Sequence, residues 1–103
     1  MYSMYLEGLQ EVNITENKAL KLEYYITEDK SYDNYHQSLS AYGIKIINQI
    51  KEDETLYFEV ETIKKISYSK EQIKKAIDIL KRNRVTPIGA IEVIDEIITQ
   101  ITE

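Results

Sequence analysis

The strongest constraint in this chain is a change of hydrophobic period. Up to Val60 apolar residues alternate with polar ones, and from Ser69 onward they recur at helical spacing on both sides of Thr86-Pro87. Ile73, Ala76, Ile77 and Leu80 fall at i, i+3, i+4 and i+7, and Ile91, Ile94, Ile98 and Ile101 follow at intervals of three, four and three. That is the spacing of one apolar helix face. The stretch from Ser69 to Thr102 therefore predicts a helical hairpin. Ser69-Lys70-Glu71-Gln72 reads as a capping box that opens the first helix. Thr86 is placed to cap the second, with Pro87 at its first position, where the missing N–H costs nothing. Asn83 is the expected left-handed stop between them.

Ahead of the hairpin the period is two. Val12 and Ile14 alternate with polar neighbours, and Thr15-Glu16-Asn17-Lys18 reads as a turn in which Asn17 can take positive φ. Leu20, Leu22, Tyr24 and Ile26 then share one strand face. Glu28 to Ser38 is polar and reads as a surface loop. Tyr42, Ile44 and Ile46 alternate up to Ile50, Lys51 to Glu54 turn the chain, and Leu56, Phe58 and Val60 form an apolar strand face on the return. The spacing changes at Ile63 and Ile66, where the strand bulges or ends. Met1 to Leu6 has no clear period and reads as a frayed end or a short added strand. Strands near 9–14, 19–27, 40–50 and 55–62, followed by two helices without βαβ alternation, predict an α+β fold. An antiparallel sheet of about four strands carries the C-terminal helical hairpin on one face.

Composition narrows the function classes. The 103 residues suit one domain, 1–103, and the 43% hydrophobic and 30% charged content is that of a globular chain. Cysteine is absent, which removes disulfide and thiol chemistry. The apolar windows around Ile44 to Ile50 and Ile88 to Ile98 are interrupted by charges and fall short of the roughly 20 residues of a membrane span. Glu7 and Glu11 stand where a secretory signal would be basic and then apolar. The expectation is a cytoplasmic protein without a membrane partner. Net charge is −5, unevenly spread: residues 64–84 carry eight basic and two acidic groups, whereas 85–103 carry four acidic groups and no basic one.

The pieces Tyr24-Tyr25-Ile26 followed by Glu28, Tyr42-Gly43-Ile44, Ile66-Ser67, and Pro87-Ile88 leading into Val93-Ile94-Asp95-Glu96 resemble a small uncharacterised family, a domain of unknown function, from low-GC spore-forming bacteria. In that pattern the proline stretch continues into a histidine, where this chain has Gly89. The resemblance implies an intracellular bacterial domain and supplies no catalytic residue.

No stretch has the pattern of a catalytic or cofactor site. Asp29, Asp33 and His36 share a loop, but their spacing matches no ligand motif. No serine or histidine lies in a nucleophile context. Gly8, Gly43 and Gly89 form no phosphate-cradling loop. An anion at Thr86 to Ala90 would meet Pro87, which lacks an N–H, and Glu92. The chain is therefore expected to be a non-enzyme without metal or cofactor. The leading expectation is a small protein-interaction or regulatory module. Tyr32 and Tyr35 are candidate partner contacts because they fall outside the strand patterns, as is the basic row Lys70, Lys74 and Lys81 of the first helix. The apolar residues of the second helix cover an arc of about 160°, wider than the roughly 100° that one core needs. Ile91 and Ile98 are thus left as candidates for a contact with a protein partner, including a homodimer through that helix. Two alternatives are a nucleic-acid binder using the basic block 64–84, and a small-molecule binder or enzyme with an unrecognised site. Sequence-specific DNA binding conflicts with the acidic second helix, which carries Glu92, Asp95 and Glu96 where a recognition helix would meet phosphates.

Overall fold

The computed structural model describes residues 2–32, 35 and 37–102. Strands β1 (Tyr2–Thr15), β2 (Lys18–Tyr32), β3 (Ser38–Glu52) and β4 (Thr55–Ser67) form one antiparallel sheet in the order β1-β2-β3-β4. Helices α1 (Lys70–Arg82) and α2 (Ala90–Thr102) follow. The architecture is the α+β arrangement that the two hydrophobic periods require.

The strands are longer than their alternation reveals, for identifiable reasons. β1 begins at Tyr2, and a register shift between Leu6 and Gly8 places the extra residue Glu7 in the strand, scrambling its period. The polar run after Ile26 is mostly strand: Glu28 pairs with Tyr42, and the ladder continues to Tyr32 opposite Ser38. β4 does not end near residue 62. Its ladder slips between Ile63, which pairs with Ile44, and Ser67, which pairs with Tyr42, and Lys65 inside this bulge has φ 56°. Gly43 lies beneath it. A Cβ there would stand 2.2 Å from the Ile63 carbonyl oxygen and 2.9 Å from Lys64 Cα. The positive φ expected for a turn belongs to Asp53 (55°), in the β3–β4 turn, and not to Asn17.

The helix starts and stops follow hydrogen-bonding needs. Ser69 caps α1 by accepting from the Gln72 N–H at 3.3 Å. Ser67, in place of the Gln72 side chain, takes the Ser69 N–H at 3.0 Å. The left-handed stop is Arg84 (φ 51°), one residue beyond Asn83. Val85 N–H bonds to Leu80 O and Arg84 N–H to Lys81 O, a Schellman arrangement that satisfies the last carbonyls of α1. Pro87 is not the first residue of α2. Gly89 takes φ 79°, which a helix cannot contain, so Pro87 to Gly89 form a turn and the helix begins at Ala90.

Both helices cover one sheet face. Leu22, Tyr24 and Ile26 of β2 and Ile44 and Ile46 of β3 are buried against Ile73, Ala76, Ile77 and Leu80 of α1 and Ala90, Ile94 and Ile97 of α2. Helices of 13 residues, about 20 Å long, cannot span strands of 13–15 residues, about 50 Å long, and the molecule measures 56 × 29 × 18 Å. The hairpin ends therefore project past the helical layer. The opposite sheet face is open, with Met4, Leu6 and Leu9 of β1 and Leu56, Phe58 and Val60 of β4 exposed on it.

Candidate interaction groove

β4 carries an inverted pattern. Because Ile46 pairs with Glu61 and Asn48 with Glu59, the residues of β4 on the helix side are Tyr57, Glu59, Glu61 and Ile63. Phe58 and Val60 point to the open side, 58% and 52% exposed. The apolar alternation visible in the sequence thus faces away from the helices, and half-buried carboxylates face toward them. β4 is also a sheet edge, so every second residue directs its N–H and C=O away from β3 without a strand to receive them.

α2 runs beside this edge, and two hollows follow one another between them. The first, about 550 Å³, has Glu59, Val60 and Glu61 on one wall and Pro87, Ile88, Gly89, Ile91 and Glu92 on the other, where Ile88 is 75% and Ile91 50% exposed. The second, about 470 Å³, lies between Ile63 to Ile66 and Ile94, Asp95, Ile98 and Thr99. Glu59 is held by an unusual neighbour. Asn48, 1% exposed, stands in the inward row that otherwise reads Ile44, Ile46 and Ile50. Its Nδ2 donates to Glu59 Oε1 at 3.1 Å, while its Oδ1 has no partner. A buried polar group left half-satisfied costs about 1–3 kcal/mol, which sets this position apart from its apolar row. Neither Glu59 nor Glu61 forms an ion pair among the described residues.

The sequence-selected contact residues are not brought together. Ile91 lines the first hollow and Ile98 the second, where Ile98 also packs on the core. Lys70, Lys74 and Lys81 lie on α1, which crosses the sheet and packs most closely on β1. Lys70 Nζ is 5.1 Å from the Tyr5 ring centroid, Lys74 meets Glu71 at 4.0 Å, and the Lys81 stem lies over Gly8, where an added Cβ would be 3.3 Å from its Cδ. Tyr32 and Tyr35, 69% and 82% exposed, are at the β2–β3 end. Asn48, Glu59 and Glu61 were not singled out by sequence reasoning. The available signal was an asparagine at an inward position of an isoleucine alternation.

Elsewhere, polar groups serve the fold. The Tyr24 hydroxyl donates to Val85 O at 2.8 Å, tying β2 to the turn after α1, and burial pushes its pKa up to about 12. Beneath the start of α1, Glu28 accepts from Ser40 at 2.8 Å and from Tyr5 at 3.2 Å. The Ser40 bond first, then Tyr5 and the charges of Lys30 and Lys70, outweigh desolvation and hold this carboxyl below its ordinary value. Among the described residues no group of three or more His, Cys, Asp or Glu side chains could hold a metal. Of the loop trio, Asp33 and His36 lie outside the described residues. Among the described residues no helix is long and apolar enough to cross a membrane.

No curated protein and no solved structure matches this chain. A family model described as Family of unknown function (DUF6514) matches residues 3–100, and the chain belongs to that family.

Proposed function

We propose that this domain is a non-catalytic protein-interaction module that receives a segment of a partner protein in the groove between β4 and α2. The observation that carries this reading is the inverted edge strand: β4 presents unpaired backbone groups, carboxylates on its helix side and apolar residues on its open side, beside the exposed Ile88 and Ile91. An added strand satisfies such an edge through main-chain bonds, and the flanking hollows give its side chains somewhere to go. Departures from a local pattern concentrate at functional sites. The arrangement of α1 supports a protein partner over nucleic acid, because the Lys70 ammonium sits over an aromatic ring and Lys74 pairs with Glu71. A twofold mate through the same flank of α2 would bring two copies of Asp95 together near the axis between Ile91 and Ile98, so a different chain fits better than a second copy. A bacterial, cytoplasmic setting belongs to this proposal.

Selection from a displayed library of random peptides tests it. Wild-type protein is expected to enrich extended sequences whose binding is lost in Ile88→Asp and Ile91→Asp, both surface changes, and kept in Tyr35→Ala and Lys74→Ala. Enriched sequences that bind all four variants equally, or no enrichment at all, would refute the groove.

A further inference from the structure

We infer that the segment accepted by the groove is an extended peptide with Arg side chains directed at Glu59 and Glu61 and an apolar residue directed at the second hollow. This deepens the groove reading and rests on it. Three observations specify the chemistry. The first hollow is rimmed by Glu59, Glu61 and Glu92, with no basic side chain in its walls. Its apolar surface comes from Pro87, Ile88 and Ile91, against which the aliphatic stem of a long cation can lie. Behind Glu59 the buried Asn48 amide donates its Nδ2 to one carboxylate oxygen, which holds that carboxylate in the groove wall. Glu59, Glu61 and Glu92 present carboxylate oxygens to a hollow without a basic side chain, and the five N–H groups of a guanidinium suit several such acceptors better than a single ammonium. Asn48 acts here as a positioning residue, since it fixes Glu59 through one oxygen.

The second hollow differs. Ile63, Ile66, Ile94 and Ile98 line it together with Lys65, Asp95 and Thr99, while the Lys64 ammonium is turned away onto the Tyr2 ring at 4.3 Å. Along the groove, therefore, the end toward Glu59 is acidic without a basic side chain, and the end toward Ile66 offers four isoleucines to an apolar residue among groups of both charge signs. β4 pairs regularly with β3 from Thr55 to Ile63, before its bulge. An added strand following that regular stretch sets alternate side chains opposite Glu59, Glu61 and Ile63 on the helix side.

The probe is the fluorescein-labelled peptide Ile-Thr-Arg-Thr-Arg-Thr-Thr together with the same residues in reverse order, titrated by fluorescence polarisation against the whole chain. One of the two is expected to bind, which fixes the direction of the added strand. Its affinity should fall at least about tenfold in the Glu59→Gln, Glu61→Gln double variant and by a similar factor when Gln replaces Arg in the peptide. Lys74→Ala should leave it unchanged. Circular dichroism confirms that the variants are folded. If the Gln peptide binds as tightly as the Arg peptide and both are lost in Ile91→Asp, the charge inference falls and the groove reading stands. If no peptide binds and none shifts an amide resonance in β4 or α2, the inference falls and the groove reading loses its support. A scattering mass of two copies that disappears in Ile91→Asp, with no peptide binding, identifies a second copy as the occupant and overturns the peptide.

Discussion

Gly43→Ala tests how the sheet is closed at the bulge. The added methyl would lie 2.2 Å from Ile63 O, 2.7 Å from Thr27 Oγ1 and 2.9 Å from Lys64 Cα. A carbon–oxygen contact of about 3.3 Å is the closest comfortable approach, so the β4 carbonyl must retreat by roughly 1 Å, and two of the obstructing atoms belong to backbone. That displacement breaks ladder bonds on either side of the Ile44–Ile63 pair. Two lost bonds at about 1 kcal/mol each and an overpacking strain of about 1–3 kcal/mol give about 3–5 kcal/mol. For a chain of this size the fall in melting midpoint is then roughly 12 °C at the least. Gly89→Ala is the control. There a Cβ meets nothing within 4 Å, and only the positive φ is penalised, at about 1 kcal/mol. Thermal denaturation followed by circular dichroism compares the two. A Gly43→Ala midpoint within a few degrees of wild type, or one above that of Gly89→Ala, would mean that β4 does not cross over Gly43 as described.

Ile94→Asp, at a position 2% exposed in the core of α2, loses a burial contribution of about 1.5–3 kcal/mol and adds an unpaired buried charge, so the variant should give an unfolded circular dichroism spectrum; a wild-type melt would remove α2 from the core. Ser69→Ala deletes the α1 cap and should cost about 1 kcal/mol in urea unfolding, with no loss expected if Ser67 alone holds the helix start. Tyr24 ionises near 10.0 in the unfolded chain and near 12 in the folded one, so the folded state keeps the proton longer. Stability should therefore fall as pH rises between those values, by up to about 1.4 kcal/mol per pH unit from this group. Tyr24→Phe should flatten that part of the profile, and an unchanged alkaline slope would exclude Tyr24 as its source.

The class of the fold was legible because periods of two and 3.6 are each dictated by local geometry. Leu22, Tyr24 and Ile26 share a face in any strand, and Ile73, Ile77 and Leu80 in any helix. What the pattern hid was each place where one residue breaks the period. Glu7 shifts the register of β1, and Lys65 does the same in β4. Gly89 delays α2 beyond a proline that would otherwise start it. The site was less legible. A groove exists only once α2 lies beside a particular strand, and which face of β4 meets the helices is set by its register with β3, not by its own alternation. Phe58 and Val60 look inward in the sequence and face outward in the sheet. Lys70 and Lys81 look like a free basic stripe, yet the Lys70 ammonium sits over the Tyr5 ring and the Lys81 stem over Gly8, both on β1.

Completion of β4 by a partner strand is read out by amide hydrogen exchange along β4. With the Arg-containing peptide bound, the outward-directed amides between Thr55 and Ile63 should slow in alternation, every second residue protected, with added protection around Ile88 to Glu92. Protection confined to α1 or to the β2–β3 end, or exchange in β4 that is the same with and without peptide, would contradict it.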